Sequence, residues 1–330
     1  MIEEDRTRVR VVTAHEVEQF GRPELALEAA RIAARERQDP AADIKRMNLR
    51  FPGGWMRVLG AALPSMGVVG YKEFHYAPGG ILRYAIHLFS TADGRPLGIV
   101  DASLITTLRT AAAATAAAVA FFGQRSAPLT VGVIGSGAEA QAGLRALASA
   151  LPVDTARVTS RSDTNRRRFA ERMAGELGLP VTPVASPDLA ARDADVVYLA
   201  TNSGGRVVVD PSDLTGVPLV LSIGSTMPDQ RELPGEVLCR ADVLVIDTPD
   251  VLEESGDALE AQQLGLDRSR VRLLGDYLAD TPKPTGVTVY KSIGSPEQDV
   301  VLAHRIVTLL DEHDVPGRVI DSVTDLKRNL

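Results

Sequence analysis

The residues with the clearest chemistry lie in VGVIGSGAEAQAGL, residues 131–144. An apolar run ends at Gly135, passes through Gly137 and continues into a segment of helical composition. Glycine at the first position permits the sharp reversal after a strand. Glycine at the second lets the backbone approach a pyrophosphate, whose charge then meets the unpaired N–H groups of a helix start, here at Ala138 and Glu139. Ala140 stands where the third glycine of the usual pattern would be. That position governs helix–strand packing and tolerates alanine. The alternative is a purely structural turn, but a strand before and a helix after are the context that nucleotide binding requires.

The end of the next strand, VTSRSD at 158–163, bears on which dinucleotide is held. NAD-binding chains place Asp or Glu there to accept from the ribose 2′-OH. Ser160, Arg161 and Ser162 instead offer donors and positive charge suited to a 2′-phosphate, so NADP(H) is expected ahead of NAD(H). Two other readings stay open. Arg161 could be a solvated loop residue, and Asp163 could cap the next helix or act as a late ribose acceptor.

The elements that must position these residues follow from periodicity. From about 129 to 295, short Val/Leu/Ile-rich runs (LTVGVIG, ARVTS, DVVYLAT, LVLSIG, VLVID, VTVYKSI) alternate with helical segments such as NRRRFAERMAGELG and SPDLAARDA. Strands with almost no polar alternation are buried on both faces, as in a parallel sheet covered by helices. Residues 9–128 read differently. VRVVT, GVVGYKEFHY, ILRYAIHLFS and GIVDASL are strand-like and joined by short turns, which points to antiparallel pairing. PELALEAARIAARER is helical, and SLITTLRTAAAATAAAVAFFG is a helix with Ser103 as its expected cap and Gly123 at its end. A last helix, PEQDVVLAHRIVTLLDEH, is expected to return to the first domain. The expected fold class is α/β. A Rossmann-type doubly wound parallel sheet, 129–295, is inserted into a mixed α+β substrate and dimerisation domain, 1–128 plus 296–330.

With 330 residues the chain is long enough for two domains. A formal charge of −7 and no dense basic run argue against a nucleic-acid partner; Arg166, Arg167 and Arg168 read as a solvated helix face. Cys239 is the only cysteine, which fits a reducing cytoplasm and leaves no Cys-based metal site. The five histidines, 15, 75, 87, 304 and 313, show no ligand spacing. MIEEDRTRVR lacks an apolar signal core, and AAAATAAAVAFF reads as too short and too weakly hydrophobic for a bilayer.

GYKEF, LITTLRTAAAATA, VGVIGSGAEAQ, IGSTMPDQREL, LEESGD and VTVYKSIGSPEQD together resemble the ornithine cyclodeaminase/mu-crystallin family over about residues 40 to 310. The resemblance implies a nicotinamide-binding domain inserted between the halves of a substrate domain, and a homodimer joined through the latter. It also implies site residues. Lys72 matches the lysine beside the reacting carbon, and Arg109 the arginine that grips the substrate carboxylate. Arg46, or else Arg50, matches a second carboxylate ligand. Thr201 and Asn202 would border the nicotinamide ribose. Ser225 and the turn from Ser292 to Gly294 would close around the ring. Guanidinium–carboxylate pairing fixes orientation as well as position, and a lysine among apolar strand residues is desolvated and shifted downward in pKa.

Two departures narrow the activity. Cyclodeaminases carry an aspartate where this chain has Ser225, with Asp229 nearby but four residues late. Glu139 replaces a frequent glutamine beside the diphosphate. The expected activity is therefore an NAD(P)-dependent oxidoreductase acting on an amino or imino acid at the α-carbon. The alternatives are a cyclodeaminase-like ammonia lyase with tightly held NAD, or a binding protein that holds a small ligand with NADPH. Trp55 and Met56 could line the side-chain pocket or anchor the core, and Tyr71, His75 and Tyr84 are further lining candidates whose directions the sequence leaves open.

Overall fold

A computed structural model describes residues 8–77, 79–80, 82–282, 285–315 and 317–321. The charged start of the chain, residues 1–7, lies outside them. In chain order the elements begin with β1 (Arg8–Val12), α1 (Ala14–Phe20), α2 (Pro23–Glu36), β2 (Asp43–Phe51), β3 (Gly54–Leu63), β4 (Val68–Tyr76), β5 (Arg83–Ser90), β6 (Pro96–Asp101) and α3 (Ser103–Phe122). An alternating series follows: β7 (Leu129–Ile134), α4 (Ala138–Ala150), β8 (Val153–Thr159), α5 (Asp163–Leu177), β9 (Val181–Pro183), α6 (Pro187–Ala191), β10 (Val196–Leu199), β11 (Leu219–Ser222), α7 (Gly235–Arg240) and β12 (Val243–Ile246). The chain continues through α8 (Val251–Glu254), α9 (Gly256–Gln263), β13 (Val271–Leu273), α10 (Leu274–Ala279), β14 (Thr288–Lys291), α11 (Pro296–Glu312) and β15 (Arg318–Asp321). They form two compact units, Met1–Arg109 with Ser295–Leu330, and Thr110–Gly294. The division falls inside α3 rather than at its end.

The first unit is a seven-stranded sheet in the order β15-β1-β6-β5-β4-β3-β2, with one face covered by α11, which also packs on α2. Its strands are antiparallel neighbours except β1 and β6, which run parallel. Ala26, Ala29, Ala30 and Ala33 give α2 a buried face without bulk, so α11 can approach closely. Gly70 does the same on the sheet: a Cβ there would sit 3.4 Å from Val300 Cγ2 and closer still to β5. The hairpin β2–β3 turns at Pro52–Gly53, where Gly53 takes φ +80°. Its two strands were not anticipated, because β2 mixes polar and apolar residues on both faces, Ile44 with Arg46, Asn48 and Arg50 on one and Asp43 and Lys45 with Met47, Leu49 and Phe51 on the other, and most of them are exposed.

The second unit is an all-parallel sheet in the order β13-β12-β14-β11-β10-β7-β8-β9. Strand order reverses at β7, with β10 on one side and β8 on the other, and such a switch point is where open α/β sheets hold ligands. The strands β10, β11, β12 and β14 are buried along their whole length, as expected when helices cover both faces.

Two details of α3 correct the sequence reading. Ser103 is its first helical residue rather than its cap, and its N–H donates to Asp101 Oδ1 at 3.1 Å. The helix is also long and apolar enough, by length and composition, to cross a membrane, which the shorter Ala-rich run did not suggest. Its residues 109–118 are nevertheless all buried within the protein, which marks it as a core helix.

Candidate active site

In the first unit, strand register brings the basic residues together. Leu59 pairs with Arg46 on one side and with Lys72 on the other. Directly paired residues share a face, so Arg46, Leu59 and Lys72 form one row under α11. Lys72 is 1% exposed, so the strand does not turn it to solvent. Its Nζ lies 2.7 Å from Oδ2 of Asp299, which is fully buried in the first turn of α11. Oδ1 of the same carboxylate is 3.2 Å from Arg109 Nε, and Arg109 Nη1 reaches Gln298 Oε1 at 3.5 Å. Thr106, a turn before Arg109 on α3, is 3.4 Å from Lys72 Nζ. One anion thus holds an ammonium and a guanidinium side by side.

Electrostatics tune the lysine. Burial is the largest effect and lowers its pKa; Asp299 opposes this, while Arg109 and Arg46 lower it further, leaving Lys72 pushed down to about 8. Such an amine exchanges protons near neutrality, as a general acid or base must. Arg46 is half-buried in the same row, whereas Arg50 is exposed one row beyond Asn48. The geometry therefore favours Arg46 over Arg50 as the second carboxylate ligand. Sequence reading missed Asp299, although the acidic residue sits in SPEQD at the start of a strongly periodic helix. Glu297, two residues before it, is paired with Arg37 at 2.7 Å and donates nothing to this cluster.

The second unit carries the glycine turn. Gly135 takes φ +121°, and a Cβ there would lie 2.2 Å from the Ala200 carbonyl at the end of β10, so no other residue fits. A Cβ on Gly137 would meet nothing within 4 Å. Gly137 is the N-cap of α4 and supplies no side chain to its first N–H groups. The open space and bare helix start fit a diphosphate held by Gly137 and Ala138, with half-buried Glu139 on the first turn. The close packing assigned to the third motif position is shared: Ala140 is fully buried, and a Cβ on Gly143 would collide with the Tyr198 ring at 2.3 Å.

At the end of β8, Ser162 caps α5 by accepting from Asn165 N–H, and Ser160 Oγ donates to the Ser162 carbonyl. Arg161 is exposed and its Nη2 is 3.4 Å from the Asn202 carbonyl. Asp163 is engaged by Arg166 and Arg167, each at 2.8 Å. Arg166 is not a solvated residue as expected; its Nη1 donates to the Ser160 carbonyl and most of its side chain is covered. Two arginines therefore flank this strand end.

The loops after β10, β11 and β14 are braced by buried carboxylates. Glu232 accepts from Thr201 N–H and Oγ1 at 3.0 and 2.9 Å, from Ser222 Oγ at 2.7 Å and from Gly224 N–H at 2.6 Å. Lys291 donates to Ser222 Oγ at 2.8 Å and lies 3.1 Å from Asp257 Oδ2. Asp247 accepts from Ser292 Oγ at 2.7 Å and Gly294 N–H at 2.8 Å. Ser225 is fully buried, donates to the Gln230 carbonyl and meets Ser255 Oγ at 3.1 Å. The hydroxyls of Thr201, Ser225 and Ser292 are thus committed inward, leaving the backbone of these turns as the surface they can offer. Glu232, Asp247, Asp257 and Lys291 were not singled out from the sequence, since a buried charge has no local signature.

The model of the ornithine cyclodeaminase/mu-crystallin family matches residues 79–313. The NAD(P)H-dependent anabolic L-arginine dehydrogenase of Pseudomonas aeruginosa is 30% identical over 291 residues, covering 84% of this chain and 88% of that protein. Ketimine reductase mu-crystallin of Mus musculus is 28% identical over 223 residues, covering 66% of this chain and 67% of its own. The solved Thermococcus litoralis Delta(1)-pyrroline-2-carboxylate reductase, in complex with NADH and L-proline, superposes with a TM-score of 0.84 over 94% of this chain and 99% of that one. At 24% identity, that last likeness is one of fold.

Proposed function

The chain belongs to the ornithine cyclodeaminase/mu-crystallin family, and from that premise we propose that it is an NAD(P)-dependent oxidoreductase that interconverts imino and amino acids at the α-carbon. The carrying observation is the buried Lys72–Asp299–Arg109 cluster. Its relatives' names support the same class: an NAD(P)H-dependent amino-acid dehydrogenase and a ketimine reductase.

When bound, the dinucleotide supplies or accepts a hydride at the substrate α-carbon. The rest is the work of this chain. Arg109, turned by Asp299 and Gln298, pairs with the α-carboxylate, and Arg46 in the Lys72 row is the second ligand. A carboxylate held by a fork presents its neighbouring carbon in one orientation. The Lys72 ammonium donates a proton to the nitrogen as C=N is reduced, and the amine form takes it back in the oxidative direction. Gly135, Gly137, Ala138 and Glu139 hold the diphosphate; Thr201, Asn202, Ser225, Ser292 and Gly294 are the nicotinamide-side residues, through loops set by Glu232 and Asp247.

NADP(H) is favoured over NAD(H). Arg161 and Arg166 flank the end of β8, and the one acidic residue nearby, Asp163, is held by Arg166 and Arg167. Replacing Arg161 with Asp should weaken NADPH more than NADH, and an unchanged ratio of their KM values counts against this preference. The lyase alternative lacks its carboxylate: Ser225 is buried and hydrogen-bonded, and Asp229 is exposed. A cytoplasmic, homodimeric enzyme is the setting that fits nicotinamide turnover and the single cysteine.

The direct test follows NADPH absorbance with cyclic imino acids and with 2-oxo acids plus amines. Oxidation that depends on the imine is expected. Ammonia release from ornithine without any absorbance change would instead make the protein a lyase. Ligand binding with no consumption would make it a binder.

A further inference from the structure

Beyond Lys72, the same sheet face changes character. Two rows flank it: Asn48–Arg57–Phe74–Tyr84, and Arg50–Trp55–Tyr76. Their rings form a continuous surface. Phe74 and Tyr84 stack with centroids 5.4 Å apart, and Trp55 meets the Phe74 edge at 5.5 Å. Lys72 Nζ lies 5.1 Å from the Phe74 centroid, so the surface begins where the reacting carbon is held. Trp55, Phe74 and Tyr84 are each only half-buried. Met56, Tyr71 and His75 point to the opposite face and take no part.

We propose that this shelf of Trp55, Phe74 and Tyr84 receives the substrate side chain, and that it selects imino acids bearing a flat, uncharged ring and turns away basic ones. The assignment rests on the redox function proposed above, which places the α-carbon at Lys72. Ring faces favour flat apolar groups by stacking and by area removed from water. Charge excludes the alternative. Arg50 and Arg57 share the face, with Arg57 over the Trp55 ring at 5.7 Å. None of the described residues that β2, β3, β4 and β5 place on it is acidic. Asp299 is already shared by Lys72 and Arg109. An ammonium or guanidinium on the substrate would meet like charges, and none of the described residues on these four strands' shared face is a carboxylate to receive it.

Trp55 is the only tryptophan in the chain, so its emission reports on the shelf without any turnover. With the wild-type protein and NADP⁺, L-phenylalanine should change Trp55 emission saturably, with an apparent Kd roughly tenfold or more below that of L-alanine. L-arginine and L-ornithine should give no saturable change. In parallel, kcat/KM for NADPH-dependent reduction should be higher with phenylpyruvate plus an amine than with pyruvate plus the same amine. Tyr84→Leu should reduce that preference by roughly tenfold. Tighter binding or faster turnover of a basic, small or dicarboxylic substrate overturns the shelf and leaves the redox function standing. A Trp55 response to L-phenylalanine without oxidation of NADPH by any imine does the reverse. Absence of both defeats both.

Discussion

In the proposed reaction, Lys72 and Asp299 would set the proton chemistry between them. Burial lowers the Lys72 pKa to about 8, and Asp299 keeps it from falling further. In imine reduction the protonated form is the donor, so it is abundant below that value and lost as pH rises through it. The kcat/KM for reduction should therefore fall above about pH 8, while oxidation of the amino acid should rise over the same range. Lys72→Met should cost ~10²–10⁴-fold and abolish the limb. Asp299→Asn keeps the shape but removes the anion that favours the charged lysine, so the limb should move to lower pH. A limb unmoved in Asp299→Asn would show that another group titrates. Arg109→Lys keeps the charge and loses the fork, and should raise KM roughly tenfold or more. Pre-steady-state and steady-state rates across pH check all three.

At the element scale, the α4–β10 contact positions the glycine turn proposed to hold the cofactor. A Cβ on Gly143 would meet the Tyr198 ring at 2.3 Å, and Tyr198 is fully buried in the central part of the sheet. Gly143→Ala should therefore push α4 away from the sheet, lowering stability by ~1–3 kcal/mol. It should also weaken NADPH, because the diphosphate is proposed to sit at the N-terminus of the same helix. Thermal denaturation and cofactor titration measure the two effects; a stable variant with normal affinity would show that the ring simply moves. This element scale is also where the sequence was most and least readable. The parallel strands were legible because unbroken Val/Leu/Ile runs leave few alternatives, and the family resemblance singled out Lys72 and Arg109, which the structure brings together around Asp299. The β2–β3 hairpin was missed because β2 mixes polar and apolar residues on both faces and is largely exposed. Asp299, Glu232 and Lys291 were missed because their meaning comes only from partners distant in the chain. Arg166 was misread because a cation that bonds to a carbonyl six residues before it looks, in sequence, like any helix surface charge.

The homodimer proposed above would need a contact surface, and the outer face of the first unit's sheet is the candidate. Met47, Leu49 and Phe51 on β2 are 48%, 49% and 44% exposed, and they alternate with Arg46, Asn48 and Arg50 on the opposite face. The same face continues through Tyr71 on β4, which stacks on His87 at 4.8 Å and on Phe89 at 6.4 Å. The face also carries Lys45, Glu73 and His75, so its exposed apolar residues form a mixed patch of the kind an association surface uses. In the proposed homodimer this patch would be covered by its own counterpart, each copy contributing the same residues around a two-fold axis. His87 adds a pH dependence. Burial lowers its pKa, against a smaller opposing effect of Glu73, so the neutral ring is the form that packs. Protonation becomes appreciable only as pH falls through and below the usual imidazole range, and there the dimer should loosen. Sedimentation velocity at micromolar concentration should show a dimer at pH 8 that dissociates progressively on acidification. Leu49→Glu combined with Tyr71→Glu should sediment as a monomer at both. A wild-type protein that is monomeric throughout, or a double variant that stays dimeric, would place the contact elsewhere and leave this face to be explained as exposed surface.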